Sequence, residues 1–125
     1  MKKLKIIAIV ALLISFWSCT DEEYVKPAPQ LQISVISRYL TPIEEASVTL
    51  YNTKDDLIRQ TDPILTLKTD ASGQVLFEDL EEQRYFFYVK KDDLDNTSDV
   101  AATLNELETG QRVEVVVKIA NPIEY

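Results

Sequence analysis

The sequence predicts an all-β domain, a seven-stranded antiparallel Greek-key β-sandwich over residues 30–120. Three observations carry that prediction. Apolar residues recur at every second position along much of this region, the spacing that gathers them on one face of a strand. The runs are short and separated by turn-forming residues, as in a two-sheet sandwich. No segment holds a sustained apolar period of about 3.6 residues, so helix contributes little.

Taken in order, Leu31, Ile33 and Val35 alternate with Gln32 and Ser34 in the first strand, and Ala46, Val48 and Leu50 alternate with Ser47, Thr49 and Tyr51 in the second. Ile64 to Thr69, Gln74 to Glu78 and Arg84 to Lys91 follow, each rich in β-branched or aromatic residues. Val100 to Leu104 is the least regular strand. There Val100, Leu104 and Leu107 also have helical spacing, so residues 100–108 read as strand or helix. In the last strand Val113, Val115, Val117 and Ile119 alternate with Arg112, Glu114 and Lys118. Asp70-Ala71-Ser72-Gly73 reads as a hairpin turn whose Gly supplies the positive φ, and Glu108-Thr109-Gly110 plays the same part before the last strand.

The segments TPIEEASVTLYN and LKTDASGQVLFEDLEEQRYFFYV give the pattern a family likeness. It resembles the prealbumin-like sandwich of carboxypeptidase regulatory domains, transthyretin-like modules and Cna-B-type repeats. On that resemblance Pro42 and Ala46 match the first turn and strand entry, Thr69, Asp70 and Gly73 the hairpin, Leu80 the core plug and Tyr85 the start of the next strand. The chain departs from the pattern at Leu40, Glu45 and Gln83, where glycines are common. The internal isopeptide bond of some Cna-B repeats is not carried over, because no matching Lys, Asn and acid are found.

Ahead of the domain, Lys2, Lys3 and Lys5 precede an unbroken apolar run from Ile6 to Ile14. That is a signal-peptide layout, too short for the roughly 20 residues that span a bilayer. The chain's one Cys, Cys19, sits directly after it behind Ser18, and so resembles the lipidated residue of a bacterial lipoprotein. Phe16 and Trp17 depart from the usual lipobox. The resemblance implies a cleaved signal peptide over residues 1–18, diacylglycerol on Cys19 with a further acyl chain such as palmitate, and stable anchoring through several chains. Asp21, Glu22 and Glu23 then resemble the acidic export signal that sends lipoproteins of one Gram-negative phylum to the outer leaflet of the outer membrane. Tyr24 to Pro29 reads as an extended spacer, because each Pro disfavours helix at itself and at the residue before it. The organisation expected is signal peptide 1–18, lipidated spacer 19–29, sandwich 30–120 and a short tail 121–125.

Composition narrows the chemistry. With no His, the 125-residue chain has no Ser-His-Asp triad, Cys-His dyad or imidazole base. One Cys excludes an internal disulfide and multi-cysteine clusters. Removing residues 1–18 takes three Lys and no acid, leaving 10 basic and 21 acidic side chains and a net charge of −11. Such a surface does not suit nucleic acid, whose binding draws on clustered Lys and Arg. Asp55-Asp56, Glu44-Glu45, Glu81-Glu82 and Asp92-Asp93 read as solvated surface charge. The expectation is a non-enzyme without a cofactor.

Two candidate sites remain. Asp93, Asp95, Thr97 and Asp99 place oxygens at alternating positions, as a calcium loop begins, but Ser98 and Leu104 stand where that loop needs Gly and Glu. A solvated acidic loop is the competing reading. Asn96-Thr97-Ser98 matches a glycosylation sequon. The second site is aromatic: with Tyr85, Phe87 and Val89 inward, Tyr51, Phe86 and Tyr88 share the outward face and form a surface for a partner or a glycan. The alternative is that residues 92–109 fold over that face. The function expected is a lipid-anchored accessory protein, on the outer membrane and facing the exterior, that binds or supports a protein partner in a surface complex. Direct glycan or peptide binding and a structural role in a fimbria-like or adhesive layer are the alternatives.

Overall fold

The computed structural model describes residues 25–121. The signal segment, Cys19, Asp21, Glu22, Glu23 and nearly all of the 121–125 tail lie outside the described residues. The elements are β1 (Gln30–Ser37), β2 (Ser47–Tyr51), α1 (Lys54–Arg59), β3 (Leu65–Lys68), β4 (Gln74–Phe77), β5 (Phe86–Lys91), β6 (Leu94–Asp95) and β7 (Arg112–Ile119). They form two sheets, one ordered β4-β1-β7 and the other β3-β2-β5-β6. Alternation decides what lies between them: Leu31, Ile33, Val35, Val48, Leu50, Phe87, Val89, Val117 and Ile119 are fully buried, with Phe77 beside them. This burial of apolar side chains is the main term favouring the fold.

The sheets are not purely antiparallel. β1 pairs antiparallel with β4 but parallel with β7, in register from Gln30↔Arg112 to Ser37↔Ile119. No tight turn joins β1 to β7, and the Val/Ile face of β7 points inward whichever way the strand runs. Its direction follows from the preceding chain, which leaves β5 and β6 and passes back along β5 before β7 begins. The route is marked by the Phe87 N–H donating to the Ala101 carbonyl and the Thr103 N–H to the Tyr85 carbonyl.

That route also corrects the reading of residues 100–108, which are neither helix nor a full strand. They follow the edge of β5 with one bridge, Phe86↔Ala102. Val100, Leu104 and Leu107 share no buried face: Leu107 is 1% exposed and plugs the core, while Leu104 is 87% exposed. The two-residue β6 was not expected, and neither was α1. With only six residues and adjacent Leu57 and Ile58, α1 gives no periodic signal. Its ends are nevertheless marked: the Asp56 N–H donates to Thr53 Oγ1, Asp55 and Asp56 lie in the first turn, Arg59 in the last, and Gln60 closes the helix at φ 52°.

The Asp70–Gly73 turn forms, with Asp70 Oδ1 accepting the N–H groups of Ser72 and Gln74. It is a corner and not a hairpin, because β3 and β4 belong to different sheets. Thr69, 1% exposed, holds that corner: its Oγ1 donates to the Ile43 carbonyl and accepts the Ala46 N–H. Tyr85 holds the other end of the sandwich, its hydroxyl accepting the Glu81 N–H at 2.8 Å. The motif residues thus fasten loops to the sheets.

Register sorts the loops into two poles. At the entry pole lie residues 25–29, 78–85 and 103–111, tied by Gly110 N–H to the Pro27 carbonyl and Leu80 N–H to the Pro29 carbonyl. At the far pole lie the β1–β2 loop, the Thr69–Gly73 corner, the β5–β6 turn and Ala120.

Gly73 sits at φ 74°, and a Cβ there would meet the Val35 carbonyl oxygen at 2.7 Å and the Ile43 nitrogen at 2.9 Å. Both are backbone atoms that cannot rotate away. Gly73→Ala should cost about 2 kcal/mol or more in urea unfolding, with the β1–β2 loop loosening first in hydrogen exchange.

Candidate functional site

The outward face of the second sheet is where the sequence places its aromatic surface, and β2–β5 pairing does bring the three side chains together. Tyr51 lies opposite Phe86, and Tyr88 opposite Thr49. They do not form an open platform. Tyr51 is only 4% exposed, and Phe86 and Tyr88 are half-buried. The covering segment is the β2–β3 connection, whose α1 packs against β2 and β5. Residues 92–109 instead run along the β5 edge. Arg84 stacks over the Phe86 ring, 5.2 Å from its centroid, and donates from Nε to the Thr103 carbonyl.

What stays open is a groove between α1 and residues 96–101. Leu57 and Ile58 form one wall, Tyr88 lies in the floor, and Thr97 and Ala101 stand opposite, enclosing about 340 Å³. Its polar floor groups are already engaged. The Tyr88 hydroxyl donates to Asp95 Oδ2 at 3.4 Å. Burial, and then the Asp95 carboxylate, push the Tyr88 phenol above its ordinary value of 10.0. Burial likewise raises Tyr85.

The acidic segment after β5 has structural work. Asp95 Oδ1 accepts the Thr97 N–H, and Asp99 Oδ2 accepts the Lys118 N–H on β7. Among the described residues no group of three or more Asp, Glu, Cys or His comes together as metal ligands. The residue that sequence reading passed over is Asn96, noted only as a sequon. It is 1% exposed; its Oδ1 accepts the Val89 N–H, and its Nδ2 donates to the Phe87 and Val100 carbonyls. This clamp fixes the groove wall against β5. No pattern in the sequence announces it beyond a short polar residue after a β6 turn.

A second exposed feature lies at the far pole. The Leu40 N–H donates to the Ser37 carbonyl, and Ser37 Oγ accepts the N–H groups of Tyr39 and Thr41, so the β1–β2 turn is tightly tied. Yet it shows Tyr39 at 78% and Leu40 at 72% exposure. Leu40 has φ 66°, where a branched side chain costs about 1–2 kcal/mol relative to the right-handed region. Arg38 sits 5.3 Å from the centre of the Tyr39 ring.

Comparison with known proteins gives a fold and no family. No protein-family model matches the chain. No curated protein matches it. Solved structures do. The Bacillus anthracis TIE protein superposes with a TM-score of 0.56 at 20% identity, over 73% of this chain and 17% of that one. The group B streptococcus pilus 2b backbone protein superposes with a TM-score of 0.51 at 15% identity, over 78% of this chain and 42% of that one. The chain therefore spans less than half the length of either protein, and the likeness is one of β-sandwich fold.

Two measurements check this geometry. Asn96→Ala leaves the buried Val89 N–H and the Phe87 carbonyl without their side-chain partner, and should lower unfolding free energy by about 2–4 kcal/mol. For pH, the native state holds the Tyr85 and Tyr88 protons more tightly than the unfolded chain. Their contribution is complete below pH 10 and is lost as pH rises from there through the raised native values. The melting temperature should fall above pH 10 as phenolate absorbance appears, and Tyr88→Phe should fall less steeply over the same interval.

Proposed function

We propose that this chain is a non-enzymatic lipoprotein of the bacterial envelope, held by lipid on Cys19 and facing the exterior of the outer membrane, whose prealbumin-like domain binds or supports a partner in a surface assembly. The observation that carries this reading is the parallel β1–β7 pair, which sets residue 29 and Ala120 at opposite poles. A domain tethered through residues 19–29 then holds its entry pole toward the membrane and turns the Arg38–Leu40 turn outward. Charge agrees with that orientation. Glu78, Asp79, Glu81, Glu82, Glu106 and Glu108 all belong to entry-pole loops, and such a collar is repelled by an anionic membrane surface. The absence of His from the whole sequence supports recognition over catalysis.

The structural-subunit reading has one observation in its favour, the likeness of fold to a pilus backbone protein. Direct glycan capture on three aromatic rings has less support, since Tyr51 is covered.

The test has two arms. With Cys19→Ala, acyl labelling should disappear and the protein should leave the outer-membrane fraction; retention in that fraction without label would remove the anchor. Cross-linking intact cells that carry the native chain should recover a defined outer-membrane or surface protein, and a reagent unable to enter cells should suffice. Recovery only with a membrane-permeant reagent would place the domain on the inner side.

A further inference from the structure

From the turn and the groove we infer that the chain associates with itself: the Tyr39–Leu40 turn of one copy docks in the groove between α1 and residues 96–101 of a second copy. Both halves of the contact are built and neither is used within the chain. The turn is fastened by hydrogen bonds from Ser37, so it presents two apolar side chains without having to be ordered first. Leu40 stands at a positive φ where Gly or Asn would be at ease, and packing within the domain does not compensate, since the side chain is 72% exposed.

The groove meets that turn in size and character. Its 340 Å³ lies at the small end of binding pockets, suited to an aromatic ring and one neighbour. Its wall ends in Ile58, 68% exposed on α1. An isolated exposed Ile needs no explanation, but this one borders the groove that an apolar knob would fill. Charge selects the same pairing. The turn brings the cation of Arg38 beside Tyr39, and the groove is flanked by Asp56, next to Leu57, and Asp95, next to Asn96. The cation of α1, Arg59, is already placed against Asp55 at 3.9 Å. Turn and groove are different surfaces of the molecule, so each copy offers one of each. Such a contact joins unlike patches, as in assemblies that grow or close by repetition.

The contact involves neither the anchor nor a partner of another kind, and it is tested in cells producing the full chain. Tyr39 is replaced by photoreactive benzoylphenylalanine, a change its exposure tolerates. Illumination should give a product of twice the chain mass, with the new bond mapping to residues 54–60 or 96–101 of the second copy. Adding Ile58→Arg to the same chain should lower that product at least tenfold. Supplying a tagged second chain with native Ile58 but with Tyr39→Ser and Leu40→Ser should restore cross-linking, now to the tagged copy. Protease resistance of each variant reports that it is folded. A folded chain that gives no doubled product, that cross-links turn to turn, or that captures only a different protein overturns the inference. The last result would leave the proposed function standing, and a doubled product without any outer-membrane partner would do the reverse.

Discussion

The ladder between β1 and β7 is the constraint on which the rest of the molecule depends. β1 is the middle strand of its sheet, and its three inward side chains, Leu31, Ile33 and Val35, are fully excluded from water. Each needs cover from β4 on one side and β7 on the other. The pairing with β7 is the longer of the two, eight residues against four, and joins segments about eighty residues apart in sequence. Because it is parallel, the connection into β7 must return across the whole height of the sandwich. That return lays residues 96–103 along the edge of β5 and carries Leu107 into the base of the core.

The groove is a by-product of the same route. Its one wall exists because the returning chain hugs β5, held by the Asn96 clamp, and its other wall exists because the β2–β3 connection coils into α1 instead of turning tightly. Between them Tyr88 keeps its phenol against Asp95. A buried amide whose three bonds all go to backbone carries specificity as well as energy, since a slip of one residue in the 96–100 segment would leave each of them unmade.

Much of this was legible in the sequence. Strands with strict alternation, β1, β2 and β7, fall where apolar residues recur in steps of two, because one face of each meets the core. The motif residues Thr69, Asp70, Gly73 and Tyr85 also fall where the family resemblance puts them, and each fastens a loop. Three things were not legible. Strand direction leaves no mark on alternation, so the parallel β7 reads like an antiparallel one. A turn motif fixes local backbone but not which sheet receives the strands beside it, so the Asp70–Gly73 corner reads as a hairpin. Six residues make too few turns to show a period, so α1 passes for loop, and with it the cover over Tyr51 and the groove beside Tyr88.

The opposite placement of entry and exit has a mechanical meaning. Tension applied between residue 25 and residue 121 pulls β1 and β7 past each other along their own axes. The bonds of that ladder lie across the pull and share the load together, whereas a hairpin grasped at its open end would lose them one at a time. A domain tethered at one pole and gripped at the other is loaded along the direction in which its longest strand pair resists best.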